Sequence, residues 1–419
     1  AFYRRLMARG VANGMRGFEH DFLNYNFLAT GYLRSTYDAG SRWLRAMGEA
    51  AHEFGLSVQF CMAMPSDLMS TLELPSVTNF RASDDYQVLA NFNIGGNSLL
   101  GWALGLRPSK DNFWTSRPDS VRTTNRPYKA IDYPGSDCEL NLILATMSTG
   151  PVGLGDKAGE TNKTLLMRSI RPDGLILQPD RPLLSIDHSF WPTTWKTDRP
   201  YHAGKVLTTT SRPYQNADGL LWHYVLAINQ TKPWPMRPAD FYPFLEPTAG
   251  WVISRFHRHQ RPNECHPGQM ALASGCLSAR PIWHETEMPV IENDRPLMLQ
   301  NDSLPFDLWQ VSPIAKNGWI LLGEVGKYTR VSQKRIVHAT FLPEGGIDLW
   351  ITGAENESVA MVALEPAPSC SSAAFGNCSL SVAEVSDWRV HSESLVFTTS
   401  LPKRMTFRPT TSAQSVAWI

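Results

Sequence analysis

Apolar positions divide the chain into two unlike parts. Between Phe2 and Ile170, short apolar runs of strand length alternate with longer stretches whose apolar residues recur at helical spacing. The strand-length runs are Gly17-Phe18-Glu19-His20-Asp21-Phe22-Leu23, Leu56 to Met62, Val77 to Phe80, Leu104 to Arg107 and Val152 to Leu154. Phe2 to Arg9 reads as a helix, and so does Ser41 to Phe54, with Trp43, Leu44, Met47, Ala50, Ala51 and Phe54 on one face. Ser41 serves as the expected N-cap of that helix and Gly55 as its stop. Leu89 to Ala103, Glu139 to Thr149 and Thr161 to Ile170 read as further helices. This alternation predicts parallel strands covered by helices, an α/β unit.

From Arg171 to Pro200 the helical signal stops and the chain turns rich in Pro, Asp and Ser. Beyond it, Trp222 to Ile228, Gly250 to Phe256, Trp319 to Val325, Arg335 to Phe341, Ile347 to Ile351, Val359 to Leu364 and Leu395 to Thr399 read as strands. Turns such as Pro343-Glu344-Gly345-Gly346 separate them, which predicts an all-β region built as an antiparallel sandwich. The expected division is an α/β domain over 1–190 and a β-sandwich domain over 191–419.

Acids sit where the first strands end. Glu19 and Asp21 are two apart on a strand and share a face, while His20 points the other way. Neighbouring carboxylates repel when both are ionised, so such pairs are candidates for catalysis; the plainer alternative is a strand end where both meet solvent or an Arg. Arg81-Ala82-Ser83-Asp84-Asp85-Tyr86 follows the third run in the same way. Asn24-Tyr25-Asn26 follows Asp21, Ser109-Lys110-Asp111 follows Arg107, and Asp156-Lys157 follows Leu154. In a parallel barrel, functional groups collect at these C-terminal strand ends.

Taken in order from Asp21 to Gly174, these motifs, with Cys61-Met62-Ala63-Met64-Pro65, Gly155-Asp156-Lys157-Ala158-Gly159 and Arg171-Pro172-Asp173-Gly174, resemble glycoside hydrolase family 36, in its raffinose synthase and alkaline α-galactosidase branch. The resemblance implies a partial (β/α)8 TIM barrel, strands four to eight, lacking its N-terminal part and followed by a β-domain. A smaller open α/β sheet is the competing expectation. It also implies a retaining enzyme acting on α-linked galactose by double displacement. Asp21 falls on the family's nucleophile and Asp84 on its general acid/base, with Arg81 holding a sugar hydroxyl beside Asp84. Asp111 and Asp156 would line the sugar pocket, with Glu19, Asn24, Cys61, Asp85, Lys110 and Lys157 as further substrate-binding positions. Retention requires two carboxyl groups roughly 5 to 5.5 Å apart, one ionised to attack and one protonated to release the leaving oxygen. Glycosyl transfer to a sugar acceptor and non-catalytic carbohydrate binding are the alternatives. Two positions depart from the family pattern: Glu19 replaces a Lys, and Lys110 replaces a Trp. The first exchanges a donor for an acceptor and the second removes an aromatic face, which points to a different or modified pyranose.

Composition narrows the partners. The 419 residues are 42% hydrophobic and 11% aromatic, enough for two or three packed domains. Lys plus Arg equals Asp plus Glu at 39 each, so no bulk field favours nucleic acid or an anionic membrane. The expected partner is an oligosaccharide or glycoside, and no run reaches the ~18 apolar residues of a membrane span. Cys265 with Cys276 and Cys370 with Cys378 are close enough in sequence to pair, and glycosylation sequons begin at Asn162, Asn229, Asn301, Asn356 and Asn377. Both tilt the expected location toward a secreted or organellar one. Gly150 to Lys157 lacks the Lys-Ser/Thr ending of a phosphate loop. His257, His259, Cys265, His266 and Cys276 match no standard zinc spacing, and the chemistry expected needs neither metal nor cofactor.

Overall fold

A computed structural model describes residues 1–83, 94–116, 138–187, 189–190, 205–216, 218–228, 234–235, 240–241, 251–256, 270–272, 275–282, 290–291, 306–366 and 388–410. The first part runs α1 (Phe2–Ala12), β1 (Gly17–His20), α2 (Leu23–Ala29), α3 (Gly31–Ser35), α4 (Ala39–Glu53), β2 (Ser57–Phe60), α5 (Pro65–Ser70), β3 (Val77–Arg81), α6 (Ile94–Ala103), β4 (Arg107–Ser109), α7 (Cys138–Met147) and α8 (Lys163–Leu166). The four strands form one parallel sheet in sequence order, β1-β2-β3-β4. A single parallel bridge, Phe113 to Leu154, continues that order. No closed barrel is present among the described residues.

Local chemistry moves several boundaries. Helix α4 starts at Ala39, after Asp38 in a left-handed conformation (φ 62°), so Ser41 lies inside the first turn and is not the N-cap. Gly55 ends that helix at φ 64°, where glycine avoids the Cβ clash. Gly105 at φ 83° stops α6, and the chain is still turning at Leu104, so the fourth strand begins only at Arg107. Val152 to Leu154 contributes one bridge in place of a strand, and the helix expected over Thr161 to Ile170 shortens to α8, whose N-cap Asn162 accepts from Leu165 N at 3.0 Å. Most of the Leu89 to Ala103 helix is seen as α6; its first residues lie outside the described ones.

The sheet buries Val58, Phe60 and Phe80 in a core shared with Leu44, Met47, Ala50 and Ala51 of α4. Gly101 of α6 lies so close to Phe80 that a Cβ there would overlap the ring. Gly101→Ala is therefore expected to destabilise the protein by about 1–3 kcal/mol through overpacking, read as a lower urea midpoint.

The second part adds β5 (Leu184–Ser185), β6 (Lys205–Ser211), β7 (Gln215–Asn216), β8 (Trp222–Ile228), β9 (Trp234–Pro235), β10 (Trp251–Arg255), β11 (Met270–Leu272), β12 (Gly275–Ile282), β13 (Val290–Ile291), β14 (Phe306–Pro313), β15 (Ile320–Gly323), β16 (Ile336–Phe341), β17 (Ile347–Ile351), β18 (Ser358–Pro366), β19 (Trp388–Val396) and β20 (Lys403–Phe407). They form a seven-stranded sheet ordered β11-β12-β10-β14-β8-β6-β5, a three-stranded sheet β15-β18-β19, a four-stranded sheet β20-β17-β16-β7 and the pair β13-β9. All pairings are antiparallel except that of β16 with β7.

Alternation along β18 explains the layering. Val359, Met361 and Ala363 point into the core that holds Ile347, Leu349 and Phe407 of the four-stranded sheet, while Val362 and Leu364 join Ile320, Leu322 and Val252 on the other side. The three-stranded sheet is thus covered on both faces. Strand β5 pairs with β6, so the expected boundary at 190 falls between two hydrogen-bonded strands. The two parts also share buried polar contacts: Glu139 of α7 accepts from Arg168 and from the Tyr328 hydroxyl at 2.9 Å, and Lys327 Nζ donates to Met167 O (2.6 Å) and Ile170 O (2.8 Å). Among the described residues no helix is long and apolar enough to cross a membrane.

Candidate functional site

Side chains from four consecutive parallel strands meet at the C-terminal edge of the sheet. His20 points into the helix layer, where Nε2 lies 3.1 Å from the Tyr3 hydroxyl, itself the acceptor for Trp43 Nε1 at 2.7 Å. Desolvation lowers the pKa of its imidazole, the hydrogen bond to Asp21 O opposing. Glu19 and Asp21 take the other face, both exposed. Cys61, fully buried at the end of β2, lies within electrostatic reach of Asp21. Burial pushes its thiol far above the usual cysteine range; Asp21 and Glu19 push the same way, and Arg81 opposes them. These shifts place Glu19, Asp21, Cys61 and Arg81 in one electrostatic neighbourhood.

The backbone holding this edge is unusual. Phe22 (φ 57°) and Met62 (φ 52°), each following a site residue, are left-handed non-glycine residues. Such conformations persist only where surrounding contacts over-determine them, and they concentrate at functional sites. Here Phe22 N donates to Asp21 Oδ1 at 2.7 Å, Leu23 N to Cys61 O at 3.3 Å and Asn24 N to Met62 O at 3.1 Å.

Arg81 at the end of β3 donates through Nη1 to Asp111 Oδ2 at 3.3 Å, with both side chains mostly buried. Asp111 N donates in turn to Ser83 Oγ at 3.0 Å, and Asp111 Oδ1 accepts from Asn112 N at 2.7 Å, which fixes the carboxylate. Lys110 is 4% exposed, with Nζ 3.2 Å from Asp111 O and 5.1 Å from the centre of the Phe113 ring. Burial lowers its amine to about 7, Asp111 opposing and Arg81 reinforcing. Between pH 7 and the ordinary lysine value of 10.5 the unfolded chain holds a proton that the folded one has released, so stability rises with pH across this window. Lys110→Met should remove that slope, with its gain over wild type largest at and below pH 7 and fading toward pH 10.5, read from urea midpoints across pH.

One layer deeper lies a row the sequence reading missed. Register places Glu19 beside Gln59 and Gln59 beside Asn79. Gln59 Oε1 accepts from Asn79 Nδ2 and from Ser109 Oγ (3.4 Å), and Ser109 Oγ also donates to Phe80 O at 3.1 Å. The available signal was a polar residue at alternate positions of apolar strands, Gln59 after Val58 and Asn79 before Phe80.

The remaining expected site residues are placed differently. Asp156 accepts from Thr115 N (2.8 Å), Thr115 Oγ1 (2.7 Å) and Ser116 N (3.3 Å), clasping the segment after β4. Lys157 is exposed and pairs with Glu160 at 2.6 Å. The Asn24 side chain accepts from Tyr25 N at 2.7 Å. Asp84 and Asp85 lie outside the described residues, as do the side chains of Cys265, Cys276, Cys370 and Cys378; Cys61 is a free thiol. Among the described residues no group of three or more His, Cys, Asp or Glu is placed to hold a metal ion. No protein-family model matches the chain, and no curated protein matches it.

Proposed function

We propose that the protein is a retaining glycosidase acting on an α-linked sugar, with Asp21 as nucleophile and Asp84 as general acid/base. The observation that carries the reading is the convergence of Asp21, Cys61, Arg81 and Asp111 at the C-terminal ends of four sequence-ordered parallel strands. In the first step an Asp21 carboxylate oxygen bonds to the anomeric carbon as the glycosidic C–O bond breaks, and Asp84 gives its proton to the departing oxygen. In the second, water attacks the same carbon, gives a proton to Asp84 and releases Asp21; two inversions retain configuration. Arg81, paired with Asp111, stands at the same strand ends, where a guanidinium suits sugar hydroxyls.

On the same reading β1 to β4 and the Leu154 segment correspond to strands four to eight of a (β/α)8 barrel. Their consecutive parallel order supports this. The test is turnover of a panel of aryl α-glycosides, with the anomer first formed identified by NMR. A retained anomer supports the reading. An inverted anomer removes Asp21 as nucleophile, and sugar binding without turnover would leave a carbohydrate-binding protein.

A further inference from the structure

We infer that Glu19 selects the substrate, a glycoside carrying an ammonium group on the ring edge opposite its anomeric carbon; this rests on the glycosidase reading of Asp21. Glu19 lies on the same face of β1 as Asp21, one strand step deeper. That step is about 6.6 Å, at roughly 3.3 Å per residue. A pyranose with its anomeric carbon against Asp21 therefore turns its far edge, at C3 and C4, toward Glu19.

Charge decides what that edge should carry. Glu19 is exposed and makes no hydrogen bond or ion pair among the described residues. Its neighbour in register, Gln59, has its Oε1 engaged by Asn79 and Ser109. The guanidinium of Arg81 faces Asp111, and the Lys110 amine is turned to a backbone carbonyl. Among the described residues, Glu19 and Asp21 thus share one neighbourhood with the guanidinium of Arg81, and neither forms an ion pair with it. When a sugar displaces water, an unpaired carboxylate loses hydration that a hydroxyl donor replaces only in part, whereas an ammonium supplies both the donor and the opposite charge. A Lys at this position, as in the family the sequence resembles, would repel such a substrate.

The experiment compares 4-nitrophenyl 4-amino-4-deoxy-α-galactopyranoside with 4-nitrophenyl α-galactopyranoside at neutral pH. Wild type should favour the amino sugar in kcat/KM by about tenfold or more, Glu19→Gln should collapse that ratio and Glu19→Lys should reverse it. A wild-type enzyme that hydrolyses the neutral sugar equally well or better overturns the inference and leaves the assignment of Asp21 standing. If neither sugar is hydrolysed, calorimetric binding decides. Tighter binding of the amino sugar that Glu19→Gln abolishes supports the role of Glu19 while the glycosidase reading falls, and no binding of either overturns both. Circular dichroism of the variants, changed only at an exposed side chain, checks that they remain folded.

Discussion

Asp21→Asn should lower kcat on aryl α-glycosides by on the order of 10⁴-fold or more while leaving sugar affinity within a few-fold of wild type. The amide keeps the shape of the carboxylate, and its oxygen can still accept from Phe22 N, so the left-handed turn at Phe22 has no cause to change. What the variant lacks is the charge that forms the glycosyl-enzyme ester. Asp21→Gly separates nucleophile from support in a second way: with azide added, it should yield a glycosyl azide of inverted configuration, because the small anion attacks from the vacated side. Unchanged turnover by Asp21→Asn would remove Asp21 from the chemistry.

Arg335→Met should destabilise the protein by about 3–5 kcal/mol, the largest stability effect expected of a single substitution here. Arg335 is 1% exposed, and its guanidinium fork is saturated. Nε donates to Glu324 Oε2 (2.8 Å), Nη1 to Thr352 O (2.7 Å) and Glu357 Oε2 (2.9 Å), and Nη2 to Glu357 Oε1 (2.6 Å). Burial raises the Glu324 carboxyl, whereas at Glu357 the Arg335 fork outweighs burial and holds the carboxyl below its usual value. Removing the guanidinium leaves two carboxylates buried together between β15 and β18, with the buried charge of Lys327 nearby. The triple variant Arg335→Met, Glu324→Leu, Glu357→Leu should recover part of the loss, since both carboxylates leave with the guanidinium while Lys327 loses Glu324 but keeps its bonds to Met167 O and Ile170 O. Urea midpoints measured by tryptophan fluorescence would check both, and a single variant within about 0.5 kcal/mol of wild type would show that the cluster contributes little.

The pattern of apolar residues along the chain determined which segments are strand or helix and in what order. Trp222 to Ile228 and Ile347 to Ile351 are strands over the spans their composition predicts, and α4 and α7 differ from expectation by only a few residues at their ends. These features depend on neighbours within one or two turns of chain, where propensity and periodicity act directly. Lys205 to Ser211 escaped that reading because its run of three threonines looks polar, yet the strand is buried along its whole length between β8 and β5. The sequence likewise named Glu19, Asp21, Cys61, Arg81, Lys110 and Asp111 as strand-end residues.

Tertiary structure alone decided which of these meet and which do not. Register joined Gln59, Asn79 and Ser109 beneath the site and turned Asp156 into a clasp for Thr115. It also gathered Glu324, Arg335 and Glu357 around one guanidinium. The reason is that strand pairing is a long-range choice: a shift of one residue sends every side chain to the opposite face, and nothing within a single strand records the partner against which it will be aligned.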